Sequence, residues 1–389
     1  MELMPGYKRS DVGVIPDDWD AKPLGEIGDS LIGLTYRPSE VRKYGTLVLR
    51  SSNVQNGTLC FDDNVFVEAD IPERIMVRPG DILVCVRNGS RDLIGKSALI
   101  DERAIGMTFG AFMGVFRSEH GKLLHHVFQS GIFKKQINEH LGATINQITN
   151  KSLNSFKVPL PPTDEERTEI ASALSDVDAL LATLDQVIAK KRDLKQAAMQ
   201  QLLTGKTRLP GFSGDWEVKR LDELASLYQP QTISAQLFTE AGFPVYGANG
   251  VVGFYHSSNH ETWQVTVTCR GSTCGTVNRT VDECWITGNA MVLNCDSNRS
   301  LNKDFFYYLM LAQDLSDCIS GTGQPQIVRA PLSAFKVRLP MNSDEQAAIA
   351  KTLSSMDAEL SALEARRDKT RNVKQAMMQE LLIGKTRLV

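Results

Sequence analysis

Long apolar runs, paired cysteines and an excess of basic residues are all missing from this chain of 389 residues. No apolar run approaches the ~20 residues a membrane helix needs, and the opening MELMPGYKRSDVGVIP has no apolar centre of the signal-peptide kind. No membrane association is expected, and the expected location is cytoplasmic. The 7 cysteines contain no Cys-x-x-Cys pair, which suits a reducing compartment better than a disulfide framework. Cys269, Cys274, Cys284 and Cys295, with His256 and His260, fit no common zinc-module spacing, so buried free thiols are expected and no metal site. An Asn/Asp-Pro-Pro-aromatic tetrapeptide, a glycine-rich cofactor fingerprint and a nuclease carboxylate cluster are also lacking. Together these absences argue against an enzyme and against any cofactor held by this chain. Gly-Lys-Thr occurs at 205–207 and 384–386, but the Gly a P-loop needs five residues earlier is Gln200 or Gln379. It also follows a helix, at the end whose dipole repels phosphate.

What is present is the balance of a folded protein, with 42% hydrophobic and 23% charged residues and length enough for several cores. The 43 basic and 46 acidic residues give a net charge of −3. A small positive excess lies on two helical stretches and a negative one on the rest, mostly within 212–331. Binding to a phosphate backbone must then rest on local clusters or on positive surface supplied by a partner.

The chain repeats itself. Residues from Leu153 (LNSFKVPLPPTDEERTEIASALSDVDALL…LLTGKTRL) align without gaps to those from Leu332 (LSAFKVRLPMNSDEQAAIAKTLSSMDAEL…LLIGKTRL) at an offset of 179, about half the positions being identical. Each half also opens alike: Asp18, Trp19, Lys22, Leu24 and Glu26 match Asp215, Trp216, Lys219, Leu221 and Glu223 at an offset of 197. The helical stretches therefore kept their length while the globular modules diverged, the first carrying about 18 more residues. Divergent modules on an invariant spacer point to two different recognition tasks.

Leu174, Val177, Leu181, Leu184 and Ile188, and Leu353, Met356, Leu360 and Leu363, recur at alternating spacings of three and four, an a/d seam. Thr163 and Asn342 are suitable N-caps, with Glu166 and Glu345 placed to complete capping boxes, and Gly205 and Gly384 are the expected C′ residues. Each helix is expected to span about 40 residues, or roughly 60 Å. Short connections then favour an antiparallel pair with one module at each end. Burying nine seam side chains at about 1.5–3 kcal/mol each would offset the cost of ordering such a rod.

In each module an apolar strand-like run leads into a glycine-rich polar loop, DILVCVRNGSRDLIGKS at 81–97 and VTVTCRGSTCGTVNR at 265–279. Arg87, Asn88, Ser90 and Arg91, and Arg270, Ser272 and Thr273, are side-chain types that bind base edges or phosphates. A plain hairpin turn uses the same residues. A second pair of segments precedes the helices, with Thr144, Asn146, Gln147 and Asn150 facing Gly323, Gln324, Gln326 and Arg329 across the same offset. Their amides suit adenine edges, or merely cap a helix.

The opening GVIPDDWDAKPLGEI, the helix start FKVPLPPTDEERTEIASALSDVDALL and the closing LLTGKTRLPGFSGDWEVKRLDEL together resemble the specificity (S) subunits of type I restriction-modification systems, over essentially the whole chain. The resemblance implies an α+β chain in which two globular α/β target-recognition domains, at 1–152 and 212–331, alternate with helical spacers at 153–211 and 332–389. The spacers would form an antiparallel intramolecular coiled coil with pseudo-twofold symmetry. It implies double-stranded DNA as ligand, each domain reading half of a split target while the helices set the gap. It further implies two modification (methyltransferase) subunits, docked around Lys195–Leu203 and Lys374–Leu382, and restriction (translocase) subunits. S-adenosylmethionine, ATP and Mg would act in those partners. The rival expectations are a scaffold spacing two protein-binding modules and an enzyme with an unrecognised site.

Overall fold

The two repeated motifs that bracket each module become neighbouring strands, and this closes each module onto the start of its helix. In the computed structural model, which describes residues 5–141, 146–321 and 323–388, strand Lys157–Leu160 pairs antiparallel with Asp20–Pro23, and strand Lys336–Pro340 with Trp216–Arg220. The termini of a module thus lie side by side, as its short connections required. Two long helices follow, Asp164–Leu202 and Ser343–Leu381, of 39 residues each. Among the described residues no helix is long and apolar enough to cross a membrane.

The chain divides into two compact units, residues 1–183 with 366–389, and residues 184–365. Each unit holds one module and a stretch of both long helices.

In the first unit a four-stranded antiparallel sheet has the order Ser97–Leu99, Ile82–Cys85, Met113–Arg117, Asp29–Ile32. Its centre is the run Ile-Leu-Val-Cys at 82–85, buried at every position as expected of a strand covered on both faces. A second sheet orders Thr108–Phe109, Thr46–Leu49, Phe66–Val67 and Val41–Arg42, its first pair parallel. Helices Gly121–Gln129 and Gly131–His140 pack on this framework, and the stacked Phe128 and Phe133 rings lie 4.1 Å apart.

The second unit repeats the plan. Its antiparallel sheet runs Val277–Arg279, Val265–Thr268, Ala290–Asn294, Ser226–Tyr228, and beside it Trp285–Ile286 pairs parallel with Phe243–Gly247, which pairs with Gly250–Tyr255. Helix Lys303–Leu311 takes the place of Gly121–Gln129. Here the central strand is half threonine, and Thr268 satisfies its buried hydroxyl on the Ala248 carbonyl.

Within each unit the long helices run antiparallel, because the cross-helix ion pairs run in opposite numerical directions. In the second unit Lys191 meets Glu359 at 2.6 Å and Lys195 meets Asp357. In the first, Lys374 meets Asp178 at 2.6 Å, the same lysine–aspartate pair displaced by the repeat. Leu174, Leu184, Ile188, Leu353 and Leu360 are buried, and Val177, Leu181, Met356 and Leu363 are half-buried. The outermost positions belong to the module cores as well as to the seam. Leu174 shares a core with Trp19, Met378 and Leu381, and Leu353 shares one with Trp216, Met199 and Leu202.

The capping prediction holds for one partner and fails for the other. The Glu166 backbone N–H donates to the Thr163 hydroxyl at 3.2 Å, and that of Glu345 to Asn342 at 3.2 Å. The carboxylates do not turn back to the caps. Fully buried Glu166 accepts from Arg387, which also holds Asp18, and Glu345 accepts from Arg208. A guanidinium supplies charge as well as two donors, so it outcompetes a single backbone N–H for a buried carboxylate. Each Gly-Lys-Thr-Arg-Leu segment is thereby a latch, its glycine lying against a module's tryptophan and its arginine over a buried glutamate.

The latch glycines have left-handed backbones, φ 71° at Gly205 and 66° at Gly384. A Cβ would stand 3.1 Å from the Trp216 ring at the first and 2.6 Å from Pro16 Cγ at the second. Gly205→Ala should therefore cost about 1–2 kcal/mol from backbone strain, and Gly384→Ala more, because a proline ring must also yield. Thermal unfolding of the two variants checks the order, and equal losses would contradict it.

Candidate nucleic-acid interface

The sheet that builds each module also builds its polar edge. The buried strand ending at Cys85 turns outward at Arg87, whose side chain is exposed, as the strand ending at Thr268 does at Arg270. In both units the segment preceding the long helix then folds back against this turn. Arg87 forms a backbone bridge to Gln147, and Arg270 one to Gln326. The flanking bonds match too: Ile148 N–H donates to the Val86 carbonyl at 2.8 Å, and Ile327 N–H to that of Cys269 at 2.9 Å. Two segments of each module that the sequence offered separately are thus joined, an arginine beside a glutamine, both exposed.

The other candidate residues divide. Arg91 reaches back to the Leu141 carbonyl at 2.8 Å and that of Asn138 at 3.4 Å, closing the end of helix Gly131–His140. Asn150 donates to the Ser30 carbonyl at 2.8 Å, and Asn146 to that of Gly89 at 3.3 Å. Asn88 is half-buried and accepts from Ser90 N–H at 3.0 Å, shaping the turn. These residues brace the edge through hydrogen bonds within the module, while Ser90 is exposed. In the second unit Ser272, Gln324 and Arg329 are exposed, and Thr273 is half-buried with its carbonyl holding Thr276 N–H. Thr144 lies outside the described residues.

Sequence reasoning missed one position. The Val86 and Arg87 N–H groups both donate to the Phe112 carbonyl, and the Arg87 guanidinium lies over the Phe112 ring, 5.2 Å from its centroid, with that ring 60% exposed. The corresponding bond in the second unit, from Cys269 N–H, goes to exposed Asn289. An exposed aromatic residue thus stands at one edge where an exposed asparagine stands at the other. Beside Phe112 opens a cleft of about 540 Å³ lined by Tyr36, Arg50, Asp63 and Asn88 among others. The only signal for Phe112 was an apolar residue in a glycine-rich stretch, which does not distinguish display from burial.

Chemically, arginine presents paired donors that match the acceptors of guanine, and glutamine presents a donor and an acceptor that match adenine. Both ride on backbone bridged to a central sheet, a rigid support for base reading. The seven cysteines are free, five of them buried, and burial pushes the Cys269, Cys284 and Cys295 thiols up, the last to about 11.

An internal duplication of sheet, polar edge and long helix defines a tandem two-module protein with a matching polar edge on each module. The chain belongs to the family described as type I restriction modification DNA specificity domain, whose sequence profile matches residues 16–190 and 213–370, once per repeat. It is 28% identical over 206 residues to the type I restriction enzyme EcoKI specificity subunit of Escherichia coli (strain K12), covering 50% of this chain and 44% of that protein. It is 29% identical over 217 residues to the MjaVIII specificity subunit of Methanocaldococcus jannaschii, covering 53% and 50%. These matches span about half the length of the curated relatives. Among solved structures, the type I restriction-modification S subunit from M. genitalium has the same fold, with a TM-score of 0.66 at 17% identity, covering 98% of this chain and 99% of that one.

Proposed function

We propose that this chain is the DNA-specificity subunit of a type I restriction-modification complex and is not itself catalytic. It binds a bipartite target in double-stranded DNA, each recognition edge reading one half-site, and the paired helices fix the gap between them. The observation that carries the reading is the arginine–glutamine edge built at the same topological point in both modules but finished differently, by Phe112 in one and Asn289 in the other. One scaffold with two finishes is what reading two unlike half-sites requires.

Methylation and cleavage fall to partner subunits, two modification subunits and the restriction subunits that join them, with S-adenosylmethionine, ATP and Mg acting there. Val187 and Leu194 stand 37% and 47% exposed one heptad apart on the second unit's stretch of the first long helix, an apolar stripe suited to covering by a modification subunit. Partner-supplied positive surface also reconciles DNA binding with a net charge of −3.

Mapping adenine methylation in cells carrying the complex tests the reading, and a split motif with a constant gap is expected. Adding one heptad to each long helix, in the first between Leu181 and Ile188, lengthens the pair by about 10 Å. The gap should grow by about 3 base pairs or binding should be lost, and an unchanged motif would rule out the ruler. A scaffold without DNA binding would leave the assembled complex with no salt-dependent, sequence-selective DNA retention.

A further inference from the structure

The first unit buries two adjacent histidines that base reading does not use. His125 and His126 lie on helix Gly121–Gln129, 8% and 1% exposed, and the Nδ1 atom of each is buried with no hydrogen-bond partner. Both line a cavity of about 200 Å³ that Asp178 of the long helix also lines. One ligating atom from each of the three residues lies within 4.8 Å of the others, and His126 Nδ1 stands 3.7 Å from Asp178 Oδ2.

From this geometry we infer that His125, His126 and Asp178 form a binding site for one divalent transition-metal ion of the zinc class, with solvent completing the coordination. Two imidazoles and a carboxylate are a ligand set suited to zinc, at bond lengths of about 2.0–2.2 Å. Coordination requires the three ligand atoms to close in from that spacing, and the cavity of about 200 Å³ has room for the ion. The outer contacts are also in place. His126 Nε2 lies 3.2 Å from the Ser175 hydroxyl, which leaves Nδ1 for the metal. His125 Nε2 lies 2.9 Å from Gln129 Nε2, and Gln129 Oε1 accepts from Lys374 at 3.0 Å. Lys374 also pairs with Asp178 Oδ1, so its ammonium competes with a cation for that carboxylate. When a metal displaces it, Gln129 is free to turn its oxygen to His125 Nε2–H, the arrangement that presents Nδ1.

The repeat supplies an internal control. At the corresponding place in the second unit stand Tyr307 and Tyr308, with the equivalent pair Lys195 and Asp357. Tyr308 donates its hydroxyl to Asp357 at 2.7 Å, and Lys195 pairs with the other carboxylate oxygen. A phenol held by a carboxylate in this way offers no imidazole lone pair. Both units brace module to helix at this point, the second through a hydrogen bond and the first through a metal.

The test is titration of the full-length chain with zinc by calorimetry, and with cobalt(II) followed by its visible d–d bands. One ion per chain is expected. Asp178→Asn and His126→Ala should each weaken binding about tenfold or more, Tyr308→Phe should leave it unchanged, and Lys374→Gln should tighten it several-fold by removing the competing ammonium. Circular dichroism keeps a misfolded variant apart from one that has lost a ligand, and Lys374→Gln, predicted to gain affinity, cannot succeed by unfolding. No uptake by either the parent chain or Lys374→Gln overturns the inference, as does binding insensitive to Asp178→Asn and His126→Ala.

Discussion

Replacing Arg387 with alanine should destabilise the folded chain by about 2–3 kcal/mol. Arg387 holds Glu166, which is 0% exposed, through Nη2 to Oε2 at 2.9 Å and through a second bond from Nε. Removing one member of a buried pair strands the other charge in a poor solvent and costs about 3–5 kcal/mol. The arginine side chain is 34% exposed, so water screens part of that loss, and the lower figure follows. Its second partner, Asp18, is 52% exposed, so Asp18→Asn should cost less than about 1 kcal/mol although Arg387 holds that carboxyl below its ordinary pKa. Adding Glu166→Gln to Arg387→Ala should restore much of the stability, because the stranded charge is gone. Urea denaturation of the single and double variants provides the comparison, and a double variant no better than Arg387→Ala would show that the guanidinium acts by packing over Trp19.

The second large effect concerns DNA. In the assembled complex, Arg87→Ala and Arg270→Ala should each cost about 1–3 kcal/mol, or roughly fivefold to 150-fold in affinity for the proper target. Each should relax one half of the motif and leave the other intact, as read by methylation mapping and by competition between targets. A purely phosphate-binding arginine would behave differently, weakening all sequences alike and lowering the salt slope by about 1. Phe112→Ala should resemble Arg87→Ala in the half-site affected, since its ring supports that guanidinium. Relaxation of both half-sites by one substitution would refute independent reading.

Most of the architecture was legible because it depends on local rules written twice. Thr163 and Asn342 cap, Gly205 and Gly384 terminate, and the repeat offset by itself aligns the helices. The ion pair of Glu166 was not legible, because its partner lies 221 residues away and the local capping box was a sufficient explanation of the same glutamate. The polar edges were legible in part. Arg87 and Gln147 appeared as separate candidates, but only strand order brings them together. Arg91 and Asn150 were equally polar, yet they serve backbone carbonyls of their own module. Residue type cannot distinguish a side chain that braces a loop from one that the loop displays.

The latch at Arg387 bears on how the protein is made. The core containing Trp19 and Leu24 is completed by Leu381 and Leu382, and Glu166 waits for its arginine, so the unit begun first at the ribosome is the one finished last. While residues 184–365 are being translated, that earlier unit has every strand it needs but an uncovered apolar flank and an unpaired buried acid. Nascent chains stalled before residue 377 should therefore be the stage at which chaperones are most needed.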